Sequence, residues 1–249
     1  MIKFFRKIRY DLMKQNKMSK YFKYAIGEII LVVIGILIAL QVNNWNQNRL
    51  EAIERDVMIK NLNQEFQLNK KELSVIISKY RRAKDAAVKL MEFVGIEEHK
   101  GFKQQEIDSL MDKIFPSIDF LYSDNAIQDI IQSGKLKTLN NSSLPNKLSE
   151  WKTINTIIFS REEKLENWTF NHLLPYLNKH MSWRDAGVTN NYDWSTKGKI
   201  PVDYAHFLTD LEFENLLEND LFFLNQALTR YKESMLILDE LIVLTSNND

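Results

Sequence analysis

The chain of 249 residues contains no cysteine, only 4 prolines and only 7 glycines. The absence of cysteine excludes disulfides, thiol nucleophiles and zinc sites built on thiolates. Scarce proline and glycine, in a sequence that is 45% hydrophobic, favour long uninterrupted helices. No phosphate-loop, dinucleotide, EF-hand or serine-hydrolase motif is present either. We therefore expect an all-α protein that is not an enzyme and that has no cofactor or metal site.

The histidines and the paired acids offer little further chemistry. The four histidines are not spaced to place two metal ligands on one helical face: His99, His172, His180 and His206. His172 lies near an apolar helical face, which predicts a buried, hydrogen-bonded side chain. The acidic pairs at 97–98 and 162–163 are interpreted as solvated faces. The sequence around Gly134 lacks the upstream glycine of a phosphate loop, so this residue is interpreted as a left-handed helix C-cap.

Charge is distributed unevenly along the chain. Its 33 basic and 33 acidic side chains cancel, but residues 1–23 hold eight basic groups and one acid. This arm therefore carries a formal charge of +7, and the remainder carries −7. Ile2, Phe5, Ile8 and Leu12 share one helical face, as in basic amphipathic helices that lie on anionic membranes. A pure topology signal explains the arm equally well, and a nucleic-acid partner is not expected.

Residues 24–44 contain the one long hydrophobic run, with twelve consecutive apolar residues at 29–40. A helix of this length matches the hydrocarbon core of a bilayer, about 30 Å thick. Tyr21, Tyr24 and Trp45 flank it as an aromatic belt would. A buried soluble helix is the simpler alternative. A cleavable signal peptide is the other, but no pair of small residues precedes a cleavage point. We interpret 24–44 as an uncleaved transmembrane signal anchor.

The positive arm predicts an N-terminus in the cytoplasm and a C-terminal domain in the periplasm or outside the cell. Glu28 lies at the cytoplasmic end of the span, where the helix dipole and the headgroups accommodate an anion. Alternatively, Glu28 pairs with a basic residue of a partner inside the membrane. Gly35 and Ala39 form a small-xxx-small pattern, which allows close helix approach and self-association through the span.

The N-terminal region resembles a known family. Residues 4–47 read FFRKIRYDLMKQNKMSKYFKYAIGEIILVVIGILIALQVNNWNQ, and residues 130–139 read IIQSGKLKTL. Both segments are similar to an uncharacterised family of bacterial single-pass membrane proteins, domain of unknown function 6090. The recurring units are Gly27-Glu28 and Gln41-x-Asn43-Asn44-Trp45. The resemblance implies membrane anchoring, and it implies no activity, cofactor or catalytic residue.

Residues 45–249 read as one helical bundle domain. Apolar or aromatic residues recur every three or four positions from Ala52 to Val94, with no Gly or Pro between Gly35 and Gly95. The span is therefore expected to continue into a long stalk helix that ends at 95–101, with homo-oligomerisation through span and stalk as one possibility. Asn69 on this seam would set the register of a coiled coil, or it is satisfied locally, or it is exposed.

Further helices are predicted after the stalk. Short ones are expected at 104–114 and 124–133. Another begins near Pro145 and ends or kinks before Pro175. Thr209-x-x-Glu212 is interpreted as a capping box that opens the last helix. The two longer helices carry these seam residues: Leu148, Trp151, Ile154, Ile158, Leu165 and Trp168 on the first, and Leu217, Leu221, Leu224, Leu228, Tyr231, Met235, Leu238 and Ile242 on the second. Their burial predicts an antiparallel helical bundle outside the cytoplasm.

Residues 181–209 have little helical periodicity and are predicted to form a long loop. The candidate partner or ligand contacts within it are Trp183, Arg184, Tyr192, Asp193 and Trp194, because aromatic and arginine side chains anchor many interfaces. The alternative is a loop that caps the bundle, with its Trp rings in the core. The leading functional hypothesis is a membrane-anchored interaction or scaffold protein with an unknown protein partner. The alternative is a ligand-binding, sensor-like domain that signals through a partner membrane protein.

The orientation is testable with a reporter enzyme that is active only outside the cytoplasm. Fused after Asp249, the reporter is expected to be active, because the +7 arm keeps the N-terminus inside. Fused directly after residue 23, without the span, it is expected to be inactive. Activity of a cytoplasm-only reporter after Asp249 would contradict the orientation.

Overall fold

The computed structural model describes Tyr10 and residues 18–96, 103–116, 122–139 and 142–246. These ranges contain helices and no strand, which confirms the all-α prediction. The elements are α1 Met18–Met91, α2 Gln104–Lys113, α3 Asn125–Gln132, a 3₁₀ helix Lys135–Leu139, α4 Leu144–Trp168, a π-helical segment Thr169–Leu173, α5 Leu174–His180, α6 Trp183–Thr189, α7 Tyr204–Leu208 and α8 Leu211–Thr245. The amphipathic face expected at residues 2–12, His99 and the acidic pair at 97–98 lie outside the described residues.

The chain divides into two compact units, Met1–Val57 and Met58–Asp249. The described part of the first unit consists of helical residues. One helix in the described part of the chain, Phe22–Met91, is long and apolar enough to cross a membrane, judged by length and composition. Gly35 and Ala39 are exposed on it and Glu28 is partly buried. A Cβ at Gly35 would meet no other atom within 4 Å.

In the second unit, the predicted seam of α1 is buried from Leu62 to Leu90. Leu62, Phe66, Leu73 and Tyr80 are fully buried. The helix ends at Met91, before Gly95, which has a left-handed φ of +78° and donates its N–H to the Leu208 carbonyl at 2.9 Å. Gly134 has the left-handed φ of +69° that its interpretation as a C-cap requires.

The main core lies between α1, α4 and α8. The seams predicted for α4 and α8 contribute Trp151, Ile158, Leu228 and Leu238, among others, to one cluster with the α1 seam. Lys70 contacts Asp239 at 2.5 Å, and the later Lys84 donates to the earlier Asn225 at 2.8 Å. Because residue numbers rise along α1 as they fall along α8, these helices are antiparallel.

The helix predicted to end or kink before Pro175 ends as an α-helix six residues before Leu174. α4 ends at Trp168, a single π-helical segment Thr169–Leu173 follows, and α5 begins at Leu174. Pro175 lacks the N–H that a continuous α-helix needs, and a π-bulge is a common way to absorb this defect.

The capping box predicted at Thr209 is wrong by one residue. Asp210 is the N-cap of α8, and its carboxylate accepts the Glu212 N–H at 2.9 Å. The Thr209 hydroxyl instead donates to the carbonyls of Ala205 and His206, both at 3.0 Å, at the end of α7. Because α7 ends immediately before α8 begins, the threonine belongs to the preceding helix.

The interpretation of Glu162 as part of a solvated face is also wrong. Glu162 is buried in the main core, where the Tyr231 hydroxyl donates to it. Burial raises the pKa of this carboxyl. The position follows Ile158 by four residues and precedes Leu165 by three, so it lies on the buried face of α4. Glu163, its neighbour, is exposed as expected.

Asn69 is buried, and both ends of its side-chain amide are hydrogen-bonded. Of the three alternatives for this residue, the structure therefore shows the one in which Asn69 is satisfied locally. Its Nδ2 donates to the Ser123 carbonyl at 2.7 Å, and its Oδ1 accepts the Ser123 N–H at 2.8 Å. One turn earlier, Glu65 accepts the Ala126 N–H at 2.9 Å and the Ser123 hydroxyl at 3.0 Å. Two polar residues of α1 therefore hold the chain that enters α3, and Glu65 caps that helix from outside it.

Asp220 is a buried carboxyl on α8 that was not among the predicted seam residues, although it follows Leu217 by three residues and precedes Leu224 by four. Its side chain is 1% exposed, and its Oδ2 accepts no hydrogen bond within the described residues. Burial raises its pKa from 3.8 to about 7. The folded state therefore binds a proton more tightly than the unfolded state, so the associated stability is present below about pH 4 and is lost as pH rises through 7.

Replacing Asp220 by Asn is expected to stabilise the protein at pH 8 and to have little effect at pH 4. The pKa difference sets an upper limit of roughly 4 kcal/mol on the gain. The measurement is the free energy of unfolding of wild type and variant across this pH range. Asp129→Asn, at an exposed position of α3, is the control and should shift stability by less than about 0.5 kcal/mol at either pH. A gain in the Asp220 variant that does not depend on pH would contradict the assignment.

Candidate binding cleft

The segment 181–209 contains two short helices, which corrects the prediction of a long loop. Ser182 caps α6 by accepting the Asp185 N–H at 3.3 Å. Asp203 caps α7 by accepting the N–H groups of Ala205 and His206 at 3.0 and 3.3 Å. Helices of seven and five residues are too short to show a hydrophobic period, but the two capping residues were a readable signal.

The segment closes a second core at the C-terminal end of α1. Met181, Ala186, Tyr204, Phe207 and Leu208 are buried there. They belong to a cluster that also includes the following residues of α1, α2 and α8: Ala86, Leu90, Ile107, Met111, Phe213 and Leu217. The segment therefore does cap the bundle, and its remaining side chains are displayed from a packed support.

Asp108 of α2 is hydrogen-bonded to two residues of the segment 181–209. It is 1% exposed, and both the Tyr204 and Thr189 hydroxyls donate to it, the second at 3.4 Å. Burial is the main cause of the raised pKa of the Asp108 carboxyl. One turn further along α2, Asp112 accepts the Tyr192 hydroxyl at 2.5 Å. Two acids on one face of α2 thus hold the segment at three points.

Two glycines let the segment fold back on α6. A Cβ at Gly187 would lie 2.1 Å from the Ser195 Oγ, so only glycine allows residues 192–195 to pass this closely. Gly198 donates its N–H to Asp185 at 2.8 Å, and a Cβ there would lie 2.9 Å from the Ser182 Oγ. The contact of Gly198 with the Ser182 and Asp185 side chains places residues 198–203 beside the start of α6.

Trp194 is displayed on the outer side of the segment. Its side chain is 77% exposed and stacks on the Tyr192 ring, with centroids 5.0 Å apart. Tyr192 is in turn anchored to Asp112, while Asp193 between the two aromatics is exposed. An exposed tryptophan on an anchored tyrosine is a preorganised contact surface, because little side-chain freedom remains to be lost on binding.

Trp183 has a mixed role. It is partly buried against the second core, 5.9 Å from the Phe115 ring between centroids, and its Nε1 donates to Asn178 at 2.7 Å. One cavity that it lines, of about 310 Å³, is apolar and also touches Phe170 and Leu174. Trp183 also lines a second, larger cleft formed by residues 178–184, 198–203 and 206. The ring therefore both supports the cap and forms a cleft wall.

We use the name binding cleft for a cavity of about 790 Å³ lined by residues 178–184, 198–203 and 206. Lys179, Arg184 and Lys199 line it, with Asp203 as the lining carboxylate. The cleft lies within the size range of ligand sites in proteins, about 300–1,000 Å³. Of the predicted contact residues, Trp183 and Arg184 line this cleft, while Tyr192 and Trp194 lie together outside its lining.

The histidines differ from expectation. His172 is exposed, not buried, and stacks on Trp168 with centroids 4.5 Å apart. His180 of α5 and His206 of α7 both line the cleft, with ring centroids 5.9 Å apart. In the part of the chain that the structure describes, no group of His, Asp and Glu residues could hold a metal ion.

These features define a class of protein: an all-α chain with one N-terminal helix that could span a membrane, and a helical domain that carries a charged cleft. Comparison with family models places it further. The chain belongs to a family of unknown function (DUF6090), whose model matches residues 28–158. The match includes Gly35, Ala39, α2 and α3, and it ends before the binding cleft begins. No curated protein and no solved structure matches the chain.

The two tryptophans of the segment are expected to respond differently to replacement by alanine. Trp183→Ala should lower the free energy of unfolding by about 2–3 kcal/mol, somewhat less than for a fully buried Trp. Trp194→Ala should change it by less than about 0.5 kcal/mol, since the ring is largely in solvent. Thermal melts followed by circular dichroism measure both. Equal losses in the two variants would contradict the different burial of the rings.

Proposed function

We propose that this protein is a membrane-anchored interaction module. In this proposal residues 24–44 anchor the chain in the cytoplasmic membrane, the +7 arm stays in the cytoplasm, and residues 45–249 lie outside. The apolar helix and the charge asymmetry support this arrangement. The partner is a protein that meets the outer surface of the 181–209 segment.

The observation that carries the proposal is the display of Trp194. It is 77% exposed, yet it stands on a tyrosine hydrogen-bonded to α2 rather than on a free loop. Ile200, in the same segment, is 81% exposed. Large aromatic side chains that become buried against a partner carry a disproportionate share of the binding energy in protein interfaces.

The acids with raised pKa favour an interaction module over an enzyme. Catalytic acids and bases lie where a substrate reaches them. Asp108, Glu162 and Asp220 are instead buried, and none of them lines the binding cleft. The burial of Asp108 and Glu162 is explained by their tyrosine partners.

The cleft supports a second candidate function, a ligand-binding domain of a sensor. Its volume of about 790 Å³ suits a small molecule or a short peptide. A sensor of this kind would signal through a partner membrane protein, for which Glu28 is the candidate contact within the span.

Self-association is a further part of the proposal. On the first unit, Leu50, Ile53 and Val57 are each 52% exposed and are spaced by three and four residues. This spacing is typical of a helix that packs against an equivalent helix. Together with Gly35 and Ala39, these residues are the contacts through which we expect span and stalk to form a homo-oligomer.

A photo-crosslinking amino acid at position 194 tests the interaction. In membranes of the source cells, irradiation is expected to give a discrete adduct with another protein. The matched control is position 159, where Phe159 is 68% exposed on α4 and outside the segment. No adduct at 194, or the same adducts at both positions, would overturn the proposal. An adduct of twice the chain mass would identify the partner as a second copy.

A further inference from the structure

The binding cleft holds more positive charge than the chain neutralises. Lys179, Arg184 and Lys199 line it. Among the described residues, neither lysine forms an ion pair, and the Arg184 guanidinium donates to the neutral Thr196 hydroxyl. Every residue that lines this cleft lies within the described ranges.

The acids beside the cleft are engaged with backbone amides. Asp203 accepts two N–H groups at the start of α7. Asp185 lies behind the cleft wall and accepts the Gly198 N–H at 2.8 Å. Each carboxylate keeps its charge, so the lining carries three positive charges against the single negative charge of Asp203. Among the described residues neither acid forms an ion pair with any of the three cations, which are therefore open to an anion from outside.

The cleft also has an apolar part. Trp183, Pro201 and Ile200 line it, and the Ile200 side chain is 81% exposed. A bare inorganic ion would leave this apolar surface in water. A segment that presents carboxylates next to an apolar side chain would match both the charged and the apolar parts.

We propose that the cleft binds an acidic peptide segment of a partner protein, with carboxylates against Lys179, Arg184 and Lys199 and an apolar side chain against Trp183. This inference rests on the proposed interaction function and names the chemistry of the partner. Charge complementarity of this kind also directs encounter, so association is expected to weaken with added salt.

The test uses the full chain in an uncharged detergent and a fluorescein-labelled decapeptide of Asp, Glu, Leu and Gly, followed by fluorescence anisotropy. The cleft variant carries Lys179→Gln, Arg184→Gln and Lys199→Gln. The control variant carries Lys71→Gln, Lys164→Gln and Lys232→Gln, which removes the same charge at exposed positions outside the cleft. The two variants must lose the same charge because the +7 arm also attracts acidic peptides.

The cleft variant is expected to lose about tenfold or more in affinity, and the control variant less than about twofold. The Asn/Gln counterpart of the peptide should bind the wild type as weakly as the acidic peptide binds the cleft variant. Equal losses in the two variants, or equal affinity for both peptides, would overturn the proposal. So would displacement of the acidic peptide by citrate or phosphate at equimolar concentration, which would make the ligand a free anion. If the crosslink at position 194 persists in that event, only this inference fails.

Discussion

The apolar seam of α1 between Leu62 and Leu90 must be buried, and both cores of the second unit depend on it. Its first part, to Ala83, packs with α4 and α8 in the main core, and its last part packs with α2 and the segment 181–209. Each fully buried leucine or phenylalanine side chain contributes about 1.5–3 kcal/mol. Because the same helix supplies residues to both clusters, a break in α1 would separate the cap that carries the binding cleft from the bundle that supports it.

A hydrogen bond from a tyrosine hydroxyl to a buried carboxylate occurs in both cores. Tyr231 donates to Glu162 in the main core, and Tyr204 donates to Asp108 beneath the cap. Burial alone would leave each acid without a hydrogen bond, which is costly. The hydroxyl supplies that bond without adding a charge. Asp220, whose Oδ2 has no such donor among the described residues, shows the cost most clearly in its pKa of about 7.

The family match and the binding cleft concern different parts of the chain. Residues 28–158 belong to the matched region, which contains most of α1 together with α2 and α3. The cleft at 178–206 lies beyond the match, and its proposed role depends on the geometry of this chain. The match also ends within α4, the helix that continues through the π-helical segment toward the cleft. An acidic partner of the cleft would therefore be a property of the C-terminal part of this protein.

The sequence by itself determined the helical class, the apolar span, the seams of α1, α4 and α8 and the interruption of the helix before Pro175. Period, length and missing backbone donors are local properties. Only the tertiary structure decided how the buried polar residues are hydrogen-bonded and where the cleft forms. The spacing of Glu162 places it on the apolar face of α4, but the tyrosine partners of Glu162 and Asp108 come from distant helices and meet them only in the fold. The two short helices of the cap are too brief to show a period, and they hold their shape through contacts with α1 and α2. The cleft joins residues 178–184 to residues 198–203 and 206, and this proximity depends on the contact of Gly198 with the Ser182 and Asp185 side chains, which no periodicity predicts.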